Sequence, residues 1–462
     1  MNTQPPNLVF VFPDEMRQQA LGFMQQDPVI TPNLDQFAAE SLVLTQAVSN
    51  TPICSPYRGM LFTGQYPLNS GVPVNVNSDM IPYGVELNDT KQCFSDILHD
   101  TGYSQGYIGK LHLDLPQLEH APYTEGWRDE PGKKLIWDAY TPPGPRRHGY
   151  DFWHSYGCCD LHFTPHYWTG DAPVEERIDP NEWSVKHETD VAVEFIFNRD
   201  GKYRDEEKPF NLFVSYNPPH MPFDQVPPQY LELYADMTSE QLLNRPNVKP
   251  DSGGQAIEHV KNYFAAISGV DEQFGRILQA LDEAGLKENT IVIFTSDHGE
   301  MMGSHGLMGK SVWYDESFLV PFIIRWPGHI HPGRDNLLFG APDIMPTLLG
   351  LMGFNKQTPD TVDGTDYAAA LLGEKCQRPQ SAFYILTHPH DATLADRRGV
   401  RTDRYTFVVS REDGVETEIL HDNQTDPFQL KNIAKEQPEL VNRLKEMVNQ
   451  WLIKTGDTWA EL

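Results

Sequence analysis

Short unbroken apolar runs recur along the chain, and each ends at Pro, Gly, Asp or Asn. Asn7–Phe12, Phe210–Tyr216 and Ile291–Phe294 are too short for helices and apolar on both sides. That is the pattern of parallel strands buried on both faces. Ser41–Val48, Tyr103–Gly109 and Val320–Gly328 predict further strands with their turns. Between them the apolar spacing becomes helical. Lys261–Ala284 places Tyr263, Phe264, Ile267, Val270, Phe274, Ile277, Leu278 and Leu281 on one side, and Gly285 follows as a stop. Cys93–Asp100 reads as an amphipathic helix closed by Gly102, and further helices open at Thr31-Pro32 and at Ala341-Pro342.

This alternation predicts an α/β fold in which a central, mostly parallel sheet lies between helices over residues 1–373. After Gly364 the composition shifts. Glu374–Pro379 is a polar connector, and Ala382–Leu386, Gly399–Arg401, Tyr405–Val409 and Glu416–His421 are short strands separated by turn residues. Leu440–Leu452 is a closing amphipathic helix with Pro438 just ahead of it. Residues 374–462 are therefore expected to form a small α+β subdomain with an antiparallel sheet. Leu113–Asp171 is rich in Pro, Gly, His and aromatics and lacks periodicity, so it is expected to be long loops over a site.

No apolar run in the 462 residues approaches the roughly 18 that a membrane helix needs. No basic stretch followed by an apolar core opens the chain, which predicts a cytoplasmic protein or an exported one whose signal has already been removed. Lys+Arg 36 against Asp+Glu 65 gives a formal charge of −29, which argues against nucleic acid or an anionic membrane as partner. An anionic substrate would need a local patch of Arg, Lys and His. The five cysteines (54, 93, 158, 159 and 376) show neither metal spacing nor a disulfide framework.

The chemistry-bearing residues fall where predicted strands end. In open α/β sheets ligands bind at that edge. Asp14 and Glu15 follow the first strand and suit a hard cation through oxygen. Cys54 precedes Pro56 and Arg58. Pro56 should end what comes before it, so a helix is expected from about Tyr57 with Cys54 just ahead of its positive end. Arg58 then stands one turn in, placed to hold an anion. Lys110 and His112 close another strand, and His220 sits in a Pro-stiffened turn after Tyr216. Asp297 and His298 end the strongest strand, with His305 and Lys310 following among glycines. In the predicted loops, His154, His162, His166 and Trp168 combine flat rings with polar tips, a combination suited to sugar faces.

The run from Cys54 to Gly64, C-x-P-x-R followed by T-G, resembles the signature of the type I sulfatases of the alkaline phosphatase superfamily. G-Y-x-x-G-Y-x-G-K-x-H around Lys110, P-H-x-P around His220 and D-H-G-x-x-x-G-x-H-x-x-x-x-K from Asp297 to Lys310 are similar to further segments of that family, so the resemblance covers most of the chain. It implies an alkaline-phosphatase-like fold and hydrolysis of sulfate esters. It implies that a formylglycine-generating maturation enzyme oxidises Cys54, and that the hydrated aldehyde attacks sulfur and then expels sulfate. A divalent cation, Ca²⁺ by family habit, would be held by Asp14, Glu15, Asp297, His298 and the Cys54-derived group. Glu15 stands where the family commonly has Asp, and His298 where Asn is more common, which leaves room for Mn²⁺. By the same resemblance Arg58 steadies the nucleophile and Lys110 and Lys310 carry sulfuryl charge. His220 is the general acid, His112 the base, and His305 a substrate contact. The aromatic loops point to a sulfated sugar or polysaccharide. Phosphonate monoester hydrolases and phosphodiesterases of the same superfamily are the runner-up class. A sulfoglycan-binding pseudoenzyme is disfavoured by the intact set of Cys, Arg, Lys, His and Asp.

Overall fold

A computed structural model describes residues 5–120, 122–124, 127–130, 133–249, 254–391 and 393–459. Its strands are β1 (Asn7–Val11), β2 (Leu42–Val48), β3 (Ser104–Lys110), β4 (Trp127–Glu130), β5 (Lys133–Ile136), β6 (Phe152–Tyr156), β7 (Trp168–Thr169), β8 (Phe210–Ser215), β9 (Thr290–Thr295), β10 (Phe322–Arg325) and β11 (Gly333–Gly340), then β12 (Ala382–Leu386), β13 (Asp396–Arg401), β14 (Tyr405–Glu412) and β15 (Val415–Asp422). Nine of them form one sheet in the order β11-β2-β10-β9-β1-β8-β3-β6-β7. β10 is antiparallel to both neighbours and β7 is antiparallel to β6, while the other pairings are parallel. At the centre, β9, β1, β8 and β3 are consecutive and all parallel. Their carboxyl ends therefore open at one edge.

Each central strand is buried on both faces, as its unbroken apolar run requires, and side chains alternate between two cores. Leu8, Phe10, Phe213, Ile291 and Ile293 face one side with α2 (Cys54–Thr63), α3 (Phe94–Asp100) and α6 (Ala341–Leu351). Val9, Val11, Leu212, Val214, Val292 and Phe294 face the other with α1 (Pro32–Ala39), α4 (Ser184–Phe197) and α5 (Gly254–Glu283). α5 begins earlier than its apolar stripe predicts, at Gly254.

The second sheet is the antiparallel meander β12-β13-β14-β15. α7 (Pro438–Thr455) packs on it, with the Trp451 ring stacked on Phe383 at 5.7 Å. Phe383, Val400, Phe407 and Leu420 share a continuous apolar cluster with Leu8 and Phe10, so the two sheets rest on one core.

Two local expectations change. α2 begins at Cys54, not at Tyr57, because Pro56 sits within the first helical turn, where a missing N–H removes no helical bond. Leu113–Asp171 is not all loop. β6 joins the main sheet parallel to β3, and β4 pairs with β5 as a separate hairpin. β6 reads Phe-Trp-His-Ser-Tyr, with no aliphatic run to mark it.

Candidate functional site

The four central strands deliver most of the site. Asp14 follows β1, Lys110 ends β3, Asn217 and His220 follow β8, and Asp297 and His298 follow β9. The loops are locked to each other. The Asp14 N–H donates to the Tyr216 carbonyl at 2.9 Å, and Ser296 Oγ accepts from Met16 N–H at 3.0 Å while donating to the Pro13 carbonyl at 2.9 Å. Asp297 Oδ1 accepts from the N–H groups of Glu15 at 3.1 Å and His298 at 2.9 Å. Glu15 itself has φ 69°, so this loop holds a side-chain-bearing residue in the left-handed region. Two glycines permit the close approach. A Cβ at Gly109 would collide with the Ser215 carbonyl oxygen, and one at Gly299 with that of Glu316.

α2 brings Cys54 to the same point from its first turn. Cys54 Sγ lies 3.2 Å from His298 Nε2, 3.4 Å from Asp14 Oδ1, 3.4 Å from Lys310 Nζ and 4.0 Å from Lys110 Nζ. Arg58, one turn further along, is fully buried. Its Nη2 donates to Asp14 Oδ2 and Asp297 Oδ2 at 3.2 Å each, and its Nη1 to the Lys110 carbonyl at 2.7 Å and Ser215 Oγ at 2.8 Å. The guanidinium also lies over the Phe12 ring, 5.0 Å from its centroid. Such a pattern fixes a planar cation and, through it, both carboxylates. Lys110 Nζ pairs with Asp14 Oδ2 at 2.7 Å and donates to Asn217 Oδ1 at 3.1 Å.

Cations and anions interleave here, and their protonation follows. Burial opposes charge on every group, and the neighbours reverse most of that effect. Burial and Asp14 push the Cys54 thiol up, yet Lys110, Lys310 and His298 together hold it well below the usual thiol range. Against burial, Lys110 above all holds Asp14 well below the usual carboxylate range. Asp297, buried beside Asp14, is pushed up to about 6. His298 is raised well above the ordinary imidazole value by the Asp297 carboxylate, against burial. His112 is lowered, chiefly by burial; its Nε2 contacts the Val76 carbonyl at 3.0 Å and its Nδ1 has no hydrogen-bond partner among the described residues.

Asp14, Cys54, Asp297 and His298 each place one ligand-capable atom within 4.8 Å of the others, all buried. Two carboxylates, an imidazole and the residue-54 position are a donor set that fits a divalent cation. Glu15 lies outside that foursome. Its Oε1 is 3.4 Å from Lys310 Nζ and its Oε2 3.4 Å from His220 Nε2, so the carboxylate stands between those two cations.

Several other residues complete the frame. His220 Nδ1 contacts the Met221 carbonyl at 2.8 Å, and the Asp160 carboxylate is 3.5 Å away. Glu300 Oε1 accepts from Met302 and Gly309 N–H at 2.8 Å each, which shapes the turn carrying Lys310. Burial and the Glu15 charge push Glu300 up to about 8. Asn217 and Glu300 are not among the residues expected from sequence: Asn217 precedes the P-H-x-P segment, and Glu300 falls on an unspecified position of the D-H-G-x-x-x-G segment. Ser215, the last residue of β8, offers no signal of its own.

The loop residues expected to meet sugar are placed differently. Trp168 is 1 % exposed and packs with Tyr140, Tyr156, Tyr167 and Val174, its Nε1–H bonded to the Val174 carbonyl. His166 Nε2 contacts Asp138 at 2.8 Å, and His154 Nε2 meets His187 Nε2 at 3.1 Å, both rings buried. His162 is buried with its Nε2 on the His220 carbonyl at 3.0 Å, so it supports His220 from behind. Rings enclosed in this way have no free face for stacking. His305 is half-buried. Its ring stacks on Tyr314 at 3.7 Å and its Nε2 contacts Asn247 Nδ2 at 3.2 Å, so it is spent on that network and not on the group around Cys54.

Among the described residues no helix is long and apolar enough to cross a membrane. The Sulfatase family model matches residues 6–354, and the model for the C-terminal region of N-sulphoglucosamine sulphohydrolase matches 303–454. An endo-4-O-sulfatase of Bacteroides thetaiotaomicron is 42 % identical over 98 % of this chain and 93 % of its own. An ulvan-active sulfatase of Formosa agariphila is 32 % identical over 98 % of this chain and 82 % of its own. A solved Bacteroides thetaiotaomicron structure, from work on the metabolism of multiple glycosaminoglycans, superposes with TM-score 0.89 at 40 % identity, covering 99 % of this chain and 98 % of that one.

Proposed function

The chain belongs to the sulfatase family and is an enzyme that hydrolyses sulfate esters, and from that premise we propose that it desulfates a carbohydrate using a formylglycine made from Cys54 and a divalent cation. The observation that carries this reading is the convergence on Cys54 Sγ of His298 at 3.2 Å, Asp14 at 3.4 Å and Lys310 at 3.4 Å in a buried site. On this reading Cys54, once oxidised, would lie among the side chains that hold the cation and the sulfate.

Formylglycine supplies a hydrated aldehyde, whose oxygen can attack sulfur and whose second hydroxyl gives a way to release sulfate that Ser or unmodified Cys lacks. The cation, Ca²⁺ or the softer Mn²⁺, supplies positive charge to the sulfate oxygens. Asp14, Asp297 and His298 would hold it with the residue-54 side chain, and Glu15, which groups with Asp14 and His220, offers a further carboxylate. Arg58 keeps Asp14 and Asp297 aligned through its forked donors. Lys110 and Lys310 flank residue 54 and would stabilise charge developing on the sulfuryl group. His220, lowered by burial and Lys310 but raised overall above its usual value by Glu15 and Asp14, is suited to donate a proton to the leaving sugar oxygen. His112, lowered by burial, is suited to accept one.

The maturation partner would be a formylglycine-generating enzyme reading the unfolded Cys54 segment. The names of the relatives make 4-O-sulfated glycosaminoglycan oligosaccharides and ulvan fragments the first substrates to try, and they do not favour the phosphonate or diester class. Peptide mass at Cys54 from matured protein, together with sulfate release, tests the reading. An aldehyde with release supports it. An aldehyde with turnover only of phosphonates or diesters, or a plain thiol in fully active protein, would overturn it.

A further inference from the structure

A cavity of about 280 Å³ lies in the seam where the second sheet and α7 meet the first part of the chain. Tyr66, Asp343 and Tyr367 line one side of it, and Ser381, Trp451 and Lys454 the other. Its volume is close to the lower bound of roughly 300 Å³ for small-ligand sites, and seams of this kind are where such sites concentrate. None of the residues placed around Cys54 lines it. Cys54 opens α2 and Tyr66 lies beyond its Gly64 cap, so a ten-residue helix, about 15 Å long, stands between the two.

The polar groups of this lining are held in place with bonding capacity to spare. Tyr66 is 4 % exposed. Its N–H donates to Asp363 Oδ2 at 2.8 Å, and its ring meets Phe383 and Trp451 edge-on at 5.6 and 5.7 Å. Among the described residues its hydroxyl has no hydrogen-bond partner, whereas a buried phenol normally finds one, so it is free to bond an occupant of the cavity. Asp343 Oδ2 accepts from the Gly340 N–H at 2.9 Å and Oδ1 from the Thr365 N–H at 2.8 Å. Those bonds fix the carboxylate and leave each oxygen a second lone pair. Ser381 Oγ accepts from Trp451 Nε1–H at 2.9 Å, and its own O–H remains to donate. Lys454 Nζ lies over the Trp451 ring, 4.6 Å from its centroid, and no carboxylate pairs with it among the described residues. Asp343 and Lys454 are the charged residues of the described lining, one of each sign, so the cavity favours no net charge in its occupant. Leu338, Ala382 and Met447 add apolar surface between the polar groups.

We infer that this cavity is a second ligand site, separate from the group around Cys54, and that it takes an uncharged sugar of hexose size. A sugar ring carries hydroxyls that donate and accept together with apolar C–H faces, and the lining answers both. Lys454 and the Tyr66 and Ser381 hydroxyls donate, Asp343 accepts from a pair of hydroxyls, and the apolar side chains cover the C–H faces. The Phe383 ring and the Lys454 ammonium already lie against Trp451, so hydrogen bonds rather than stacking hold the sugar. The occupant bridges α6 and α7 and so braces the seam. This goes beyond the sulfatase reading and does not rest on it, because catalytically silent protein would hold the sugar equally.

Parent protein is titrated calorimetrically with D-galactose, N-acetyl-D-galactosamine, inorganic sulfate and L-glutamate, and its crystals are soaked with N-acetyl-D-galactosamine. The soak is expected to place the sugar in this cavity with hydroxyls on Asp343, Tyr66 and Lys454. Tyr66→Phe keeps the ring and Lys454→Met keeps the stem over Trp451. Each should weaken sugar binding roughly three- to tenfold, the worth of one hydrogen bond. Their sulfate release should match the parent's, since neither residue touches the group around Cys54. Failure of both sugars to bind, sugar found only beside Cys54, or sugar affinity unchanged in both variants would overturn the inference. So would sulfate or glutamate binding in the cavity more tightly than either sugar. If Tyr66→Phe does not fold, Lys454→Met decides, because Lys454 is exposed and buries little. Matured parent protein that releases no sulfate would instead sink the sulfatase reading, and the titrations would still judge the cavity.

Discussion

Lys110 Nζ lies 2.7 Å from Asp14 Oδ2, and both side chains are sealed from solvent. The ammonium is raised well above its usual value by Asp14, against burial, so the pair is ionised. Removing one partner of a buried pair leaves the other charge uncompensated, which costs more than the pair itself gains. Lys110→Ala is expected to lower unfolding stability by about 3 kcal/mol in metal-free protein. The loss should shrink when Ca²⁺ is added, because a cation can take over part of the ammonium's role at Asp14. Urea denaturation with and without Ca²⁺ checks both parts. A deficit that Ca²⁺ leaves unchanged would mean Asp14 does not take part in metal binding.

The donor set at Asp14, Asp297, His298 and residue 54 predicts linkage between metal and folding. A ligand at about 100 times its Kd stabilises by about 2.7 kcal/mol when it binds only the folded state. Chelator-treated protein should therefore melt lower, and Ca²⁺ or Mn²⁺ should restore its Tm. Asp297→Asn keeps the shape of the side chain and the Oδ1 acceptor but removes a charge, so its Tm should no longer respond to either ion. Calorimetry of both proteins against each metal is the measurement. A Tm indifferent to both ions in the parent would rule the site out as their binding place.

His220 should matter in proportion to how poor the leaving group is. Its Nε2 faces Glu15 at 3.4 Å, and its backbone N–H is tied to the Asn217 carbonyl at 3.0 Å, so the ring is held in place. A positioned general acid contributes about 10²- to 10⁴-fold. His220→Ala should lose that much kcat on a sugar sulfate and far less on an aryl sulfate whose phenolate leaves unaided. Equal losses on both substrates would mean His220 serves binding or architecture.

Much of this frame was legible because the residues concerned end a strand or follow its end within three positions. Asp14, Lys110, Asp297 and His298 are where the strand runs stop, and parallel pairing carries those stops to one edge. The Cys54 segment was legible through its spacing, although helix α2 starts two residues before the Pro that was expected to precede it. Burial in the 113–171 region was not legible. Whether Trp168 meets solvent depends on which strands pair, and β6 has no periodic signature to announce that it pairs with β3. Trp168 ends inside an aromatic cluster.

Glu188 offers a prediction independent of catalysis. It lies on α4, fully enclosed, where the Tyr167 O–H donates to Oε1 at 2.8 Å and Oε2 has no hydrogen-bond partner. Burial raises its carboxyl well above the usual value, more than the Tyr167 bond lowers it. The folded state therefore keeps a proton that the unfolded chain releases near its ordinary value. With the folded pKa raised, this group's contribution to stability is intact below that ordinary value and declines as pH rises towards the folded one. The slope is about 1.4 kcal/mol per pH unit in that window. Glu188→Gln has the same shape and no proton to lose, so it lacks this slope. Urea midpoints of parent and variant should draw apart as pH rises above the ordinary carboxylate range, with the Gln protein gaining relative stability until the folded carboxyl itself ionises. A constant difference would show that Glu188 is ionised in the folded protein and that an unrecognised partner neutralises it.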